Sequence, residues 1–204
     1  MKLFLSSIRL PNKAEHEKLF GYKTELAVTI IPNAWDTYSE ERRKAEITET
    51  RADFQARGHR TAILDIVTSS DQQKQDSLQS SDFLWVMGGN SFYLNYWVQR
   101  SGFDALLKSS IADGLVYGGT SAGAILMCPT LHGVEHVDNP EDAPEIIWNG
   151  LGLVNFGIVP HWGMEPYANI LEKMAVEMQH YVSQLVKLSN EQAVTVVNDR
   201  WEVL

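Results

Sequence analysis

Short apolar runs alternate with longer amphipathic runs along this chain. The short runs are rich in Val, Ile and Leu and are bounded by turn residues, which predicts strands that are buried on both faces. Seven such strands are predicted, at residues 2–6, 26–31, 61–66, 83–87, 115–118, 157–160 and 193–197. Strands separated by helical runs are typical of a parallel sheet with crossover helices. We therefore predict an α/β fold, a three-layer sandwich with a mostly parallel central sheet, formed as a single domain over residues 1–204.

The longer runs carry apolar residues at helical spacing among charged ones, as surface helices do. Helices are predicted at residues 39–57, 91–99, 103–112, 122–127 and 165–188. The polar run 70–81 predicts a poor helix or a loop. The run 129–149 contains prolines and several acids, which predicts a long surface loop of the kind that often carries function.

Composition and charge narrow the classes of protein. Apolar residues make up 44% and charged residues 21% of the 204 residues, which is ordinary for a globular protein. With a net charge of −9, the chain lacks the excess of basic residues that is typical of a nucleic-acid-binding protein. With Cys128 as the only cysteine, no intrachain disulfide can form. No apolar run approaches the ~20 residues that cross a bilayer or the h-region of a signal peptide. We expect a cytoplasmic protein with no nucleic-acid or membrane partner.

The strongest chemical motif is Gly119-Thr120-Ser121-Ala122-Gly123, which follows a predicted strand and opens a predicted helix. A serine on such a sharp turn projects its hydroxyl into a cleft, and the flanking glycines allow the strand and helix to approach each other. The amides after the serine lie at a helix N-terminus, where they can stabilise an oxyanion. The alternative interpretation is a tight turn in which Ser121 only caps the helix.

A second glycine turn, Gly88-Gly89-Asn90, also follows a predicted strand. Parallel strands would bring both turns to the carboxyl edge of the sheet, where open α/β sheets bind ligands. We expect the N–H groups of Gly89 and Ala122 to form a two-donor oxyanion hole. Asn90 could instead serve only as a helix N-cap.

A serine nucleophile needs a base, and His161 is the best placed of the six histidines because Pro160-His161 follows a predicted strand at the same edge. A solvated loop histidine is the alternative. His132-Gly133-Val134-Glu135-His136 has a zinc-peptidase spacing in reverse order, but Gly133 and the flanking prolines disfavour the helix that such a site needs. We therefore expect no metal and no cofactor.

Taken together, the nucleophile turn, the Gly88-Gly89-Asn90 turn and the Pro160-His161-Trp162 segment resemble the peptidase E and cyanophycinase family of serine peptidases. The resemblance implies a fold similar to class I glutamine amidotransferases, with Ser121 as nucleophile and His161 as general base. The acid of the triad would fall on Glu191, with Asp199 or an acid of the 129–149 loop as alternatives.

The resemblance implies hydrolysis of short peptides, aspartyl dipeptides among them, through a Ser-His-acid acyl-enzyme mechanism. The chain lacks the arginine that family members carry shortly after the histidine segment, because Lys173 and Lys187 are the only cations between His161 and Asn190. Two other functions stay open: an esterase-type acyl hydrolase and a non-catalytic binding domain on the same fold. A homodimer is the expected assembly.

Overall fold

The computed structural model describes residues 1–198 and 200–204 and contains a seven-stranded and a two-stranded sheet. The strands are β1 Lys2–Ser6, β2 Ala27–Ile31, β3 Arg60–Ile63, β4 Phe83–Val86, β5 Val116–Thr120, β6 Gly157–Val159, β7 Leu185–Lys187, β8 Ala193–Val197 and β9 Arg200–Val203. The large sheet has the order β3-β2-β4-β5-β1-β8-β9. Its first five strands are mutually parallel, whereas β8 runs antiparallel to both β1 and β9.

Seven α-helices surround these strands in the described part of the chain. They are α1 Lys13–Phe20, α2 Glu40–Ala56, α3 Asp71–Gln79, α4 Ser91–Arg100, α5 Phe103–Ala112, α6 Ala122–Ile125 and α7 Ala168–Met178. None of the helices within residues 1–198 and 200–204 has the length and apolar character needed to cross a membrane.

Alternate residues of the central strands pack against different helices, because successive side chains of a strand point to opposite faces. Phe83 and Trp85 of β4 belong to an apolar cluster that includes Phe54 of α2. Leu84 and Val86 of the same strand belong to the cluster that contains residues of α4 and α5. Both faces of the sheet are therefore covered, which confirms the predicted three-layer α/β fold.

Several details of the predicted architecture are wrong. The predicted helix 165–188 ends ten residues early, at Met178, and the strand β7 follows it. The polar run 70–81 forms a regular helix, α3, whose N-cap Ser70 and Gln73 make a capping box. The strand β3 is exposed along most of its length because it lies at the edge of the sheet, and the prediction of burial on both faces fails there.

The strand that precedes His161 also lies elsewhere than predicted. β6 pairs with β7 in the separate two-stranded sheet and not with the central strands. The carboxyl ends of β1, β2, β4 and β5 nevertheless share one edge, as parallel strands must. The two glycine turns and the residues after β1 therefore meet at this edge, and the end of β6 faces them.

Candidate active site

Ser121 lies in a strained turn between β5 and α6. Its backbone has φ 49° and ψ −110°, a conformation that non-glycine residues seldom adopt. Its N–H donates to the carbonyl of Ser6 at 3.0 Å, which ties the turn to the end of β1. A Cβ at Gly123 would overlap the carbonyl of Val86, so only glycine allows α6 to approach β4 this closely. The hydroxyl of Ser121 does not cap α6, which excludes the alternative interpretation of the motif as a simple cap.

His161 follows β6 and brings its imidazole to this serine. Its Nε2 lies 3.1 Å from the Oγ of Ser121, within hydrogen-bond distance. His161 also has a positive φ, 60°, and Asn198 is the only other non-glycine residue of the described chain with this feature. Strained backbone is typical of functional sites, because only a surrounding structure that fixes the residue can maintain it. The structure therefore brings together the two side chains that the sequence singled out.

The other ring nitrogen of His161 contacts an amide rather than a carboxylate. Nδ1 lies 2.9 Å from the Oδ1 of Asn190 and 3.3 Å from the Oγ of Ser7. Since Oδ1 can only accept, Nδ1 carries the proton in this arrangement, and Nε2 is free to accept the proton of Ser121. Ser7 joins the two residues, because its hydroxyl accepts the backbone N–H of His161 at 2.8 Å and donates to Asn190 Oδ1 at 3.1 Å.

The contact expected between Glu191 and His161 is absent from the described structure. Glu191 is exposed, and its backbone carbonyl accepts the Nε–H of Arg9. The turn that follows β7 directs Asn190 inward and Glu191 outward. The side chain that contacts His161 is therefore one residue earlier than predicted. The alternative Asp199 lies outside the described residues.

An acid of the 129–149 loop does reach the cleft, although it makes no hydrogen bond to the imidazole. Asp138 accepts the N–H of Ser91, the first residue of α4, at 2.8 Å. Burial raises the pKa of the Asp138 carboxyl. Asp138 thus joins the loop to the start of α4 and contributes a carboxyl to the cleft wall.

The Gly88-Gly89-Asn90 turn has one N–H that points to no acceptor within the described chain. The N–H of Gly88 donates to Thr120 Oγ1 at 3.1 Å, and that of Asn90 donates to the carbonyl of Ala34 at 2.8 Å. Gly89 has φ 128°, and a Cβ there would overlap the backbone of Ala34. Across residues 1–198 and 200–204 no group accepts the N–H of Gly89 or of Ala122. Within the described chain both amides therefore lack a hydrogen-bond acceptor, and Gly89 lines the same cleft as Ser121. Asn90 also caps α4, since its side chain accepts the N–H of Tyr93.

A cleft of about 840 Å³ is lined by residues that include Ser7, Gly89, Ser121, Asp138 and His161. Ser121 and His161 are both partly exposed on its wall, so the hydroxyl is accessible to a ligand. A cleft of this size holds a small ligand or a few residues of an extended peptide.

Two other groups of the chain, a candidate metal-binding segment and the cysteine, take no part in this chemistry. The segment with zinc-peptidase spacing forms a 3₁₀ turn, Val134–His136, and not a helix. His132 is stacked between the rings of Trp148 and Tyr181, at 4.4 and 3.8 Å between centroids. Cys128 is buried, and burial raises the pKa of its thiol to about 12, so it is no rival nucleophile at neutral pH.

Sequence reasoning missed Ser7 and Asn190. Ser7 follows β1 directly, and β1 is parallel to β5. Because the carboxyl ends of parallel strands lie at the same edge of a sheet, the sequence could have placed Ser7 near Ser121. Asn190 was not predicted because the residue that orients the histidine of such a triad is usually a carboxylate, and Asn190 is an amide.

We expect Ser7→Ala to lower kcat roughly 10- to 100-fold with little change in KM. The backbone N–H of His161 loses the hydroxyl that accepts it, and Asn190 loses a hydrogen-bond donor. Steady-state kinetics on a cleaved peptide measures this. Ser6→Ala is a matched control: Ser6 is equally buried, but its Oγ has no partner in the described structure. Equal losses in the two variants would mean that Ser7 acts only through packing.

Comparisons with known proteins find similar sequences and a similar fold among peptidases. The model of peptidase family S51 matches residues 11–204. The uncharacterized peptidase Lmo0363 of Listeria monocytogenes is 34% identical over 134 residues, which cover 65% of this chain and 65% of that relative's length. Peptidase E of Salmonella arizonae is 29% identical over 78% of this chain and 68% of its own. A crystal structure described as a peptidase E protein from L. monocytogenes EGD-e superposes with a TM-score of 0.85 at 25% identity, covering 100% of this chain and 97% of the other.

Proposed function

The chain belongs to peptidase family S51, and we propose that it is a serine peptidase that hydrolyses short peptides through an acyl-enzyme on Ser121. The observation that carries the proposal is the 3.1 Å contact between Ser121 Oγ and His161 Nε2, made by two residues with strained backbones. An unactivated serine is a weak nucleophile, and an imidazole at this distance can take its proton as attack begins. The size of the cleft favours short peptides over folded proteins.

Acylation begins when Ser121 Oγ attacks the carbonyl carbon of the scissile bond and its proton passes to Nε2 of His161. The carbonyl π electrons move to the oxygen, which becomes an oxyanion facing the N–H groups of Gly89 and Ala122. Each donor of this kind lowers the barrier by about 3 kcal/mol in comparable enzymes. As the carbonyl reforms, the C–N bond breaks, and Nε2 returns the proton to the leaving amine.

Deacylation repeats these steps with water as the nucleophile. His161 takes a proton from the water as its oxygen attacks the ester carbon, and it then protonates Ser121 Oγ as the ester bond breaks. Asn190 holds Nδ1–H throughout and so maintains the tautomer that both half-reactions need. As a neutral amide it orients the imidazole but supplies no negative charge to the imidazolium, unlike the acid of a Ser-His-Asp triad.

The order of these residues along the chain separates the proposal from an esterase of the α/β-hydrolase kind. That fold places its histidine last, after the acid. Along this chain the order is Ser121, then His161, then Asn190. The imidazole of His161 contacts both of the other side chains. These three residues therefore do not follow the order Ser, acid, His that an α/β-hydrolase esterase has.

The test has two parts. A serine-directed fluorophosphonate should label the protein at Ser121, as peptide mapping by mass spectrometry would show. A panel of dipeptides and tripeptides should be hydrolysed with kcat/KM well above that for p-nitrophenyl esters of similar size. Absence of label at Ser121 would indicate a non-catalytic binding domain. Label with hydrolysis of esters alone would indicate an esterase.

A further inference from the structure

The segment after β2 carries an arginine that lies over two aromatic rings at the cleft. The guanidinium carbon of Arg42 lies 5.1 Å from the ring centroid of Trp35 and 5.1 Å from that of Tyr38. The two rings are themselves 4.6 Å apart. All three side chains line the same cleft as Ser121. A guanidinium stacked on aromatic faces keeps the N–H groups at its edge available for an anion.

This arrangement is fixed directly beside the expected oxyanion hole. Ala34 precedes Trp35, and its carbonyl accepts the N–H of Asn90, the residue after Gly89. Ala34 is fully buried against the Gly89 turn. Trp35, one of the two rings under Arg42, is thus joined by one residue to the Gly89 turn, and the guanidinium lines the same cleft as Ser121.

Buried polar contacts hold the segment in place. Asn33 is fully buried, and its amide nitrogen donates to the carboxylates of Asp36 and Asp65 at 2.7 and 3.0 Å. Arg43 donates to the same two carboxylates at 2.6 and 3.3 Å. The start of α2 is therefore anchored to the sheet, while the neighbouring residue Arg42 faces the cleft.

Among the arginines that line the cleft, Arg42 is the one whose guanidinium makes no ion pair or hydrogen bond to the residues that the structure describes. Arg9 makes a bidentate ion pair with Glu15, at 2.6 and 2.5 Å. Arg57 donates to the carbonyl of Pro11 at 2.6 Å. Within residues 1–198 and 200–204, the Arg42 guanidinium has neither an ion pair nor a hydrogen bond. Its charge is available to a ligand.

We propose that Arg42, seated on Trp35 and Tyr38, binds a carboxylate of the peptide substrate and so sets the specificity of the site. The inference rests on the proposed peptidase function, which makes a carboxylate the anion that a substrate brings. Two groups share this chemistry: the C-terminal carboxylate of a dipeptide and an acidic side chain. A planar guanidinium can hold either through two parallel N–H···O bonds.

The test compares substrates that differ only in that charge. Asp-Ala against Asn-Ala reports on the side chain, and Ala-Ala against Ala-Ala-amide reports on the C-terminus. Arg42→Gln should lower kcat/KM for the charged member of one pair roughly 10- to 100-fold and leave its neutral member unchanged. Arg42→Lys should recover part of the loss, because it restores the charge without the fork. Lys44→Gln removes the same charge from an exposed position of α2 outside the cleft, and should change neither pair.

Binding provides a readout that does not depend on turnover. Dissociation constants of the same four peptides, measured by calorimetry on Ser121→Ala with and without Arg42→Gln, should show the same selective loss. Equal losses for charged and neutral members, or no change in either pair in both assays, would overturn the role of Arg42. Charge-selective binding without hydrolysis by the wild-type chain would support Arg42 and reject the peptidase proposal, so the two failures are distinguishable.

Discussion

Ser121→Ala should lower kcat by about 10⁴-fold or more and leave KM nearly unchanged, because it removes the atom that forms the acyl-enzyme and little that binds the substrate. Hydrolysis well above the uncatalysed rate should persist, since the amides of Gly89 and Ala122 remain free to bind the oxyanion. Single-turnover and steady-state kinetics on a dipeptide would measure the loss. Labelling by a fluorophosphonate should disappear in the same variant.

The control for this variant is Ser101→Ala. Ser101 follows α4, and its buried Oγ, like that of Ser6, has no partner in the described structure. Its replacement should leave kcat within about twofold of wild type, since no contact with the cleft is lost. The melting temperature of Ser121→Ala should stay within a few degrees of wild type, because the variant keeps the backbone bond from residue 121 to Ser6. A folded Ser121→Ala that turns over dipeptides at the wild-type rate would eliminate Ser121 as the nucleophile.

The nucleophile turn was predictable because its motif is short and continuous in the sequence. A glycine two residues after Ser121 is needed where α6 meets the backbone of β4, and that requirement is visible in the sequence. His161 was predictable for a similar reason, since it follows a short strand and a proline. The sequence did not reveal that its strand belongs to a second sheet, because strand pairing is a long-range property that apolar patterning does not encode.

The partners of the imidazole were harder to predict. Asn190 and Glu191 are neighbours, and which side chain points inward depends on the turn after β7, where the N–H of Ser189 bonds the side chain of Gln192. Ser7 lies 154 residues from His161 in sequence, and their contact joins the end of β1 in the large sheet to the end of β6 in the second sheet. Neither contact follows from spacing, since both depend on the tertiary structure.

Some elements were missed although their signals are present in the chain. Asn12 and Glu15 form a capping box at the start of α1, as Ser70 and Gln73 do for α3, and both pairs have the sequence spacing typical of that motif. The polar composition of these helices concealed them, because few of their side chains are buried. The opposite error occurred after Met178, where the apolar stripe continues although the helix has ended.

The second large effect concerns the residue behind the imidazole. Asn190→Ala should lower kcat on the order of 10²-fold, because Nδ1–H loses its acceptor and the imidazole can adopt the tautomer that cannot receive the serine proton. The effect should be smaller than that of Ser121→Ala, since the lost group is neutral. Glu191→Gln is the matched control, one residue away and exposed, and should leave kcat unchanged. Kinetics on the same dipeptide measures both variants.

Asn190→Asp separates orientation from packing. A carboxylate accepts the same bonds from His161 and Ser7, so activity should be retained. Its negative charge stabilises the protonated imidazole, so the acid limb of the kcat/KM profile should move to higher pH. A change that affected only packing would leave that limb in place. Loss of activity in Glu191→Gln with full activity in Asn190→Ala would restore Glu191 as the third member and show that the loop after β7 rearranges when substrate binds.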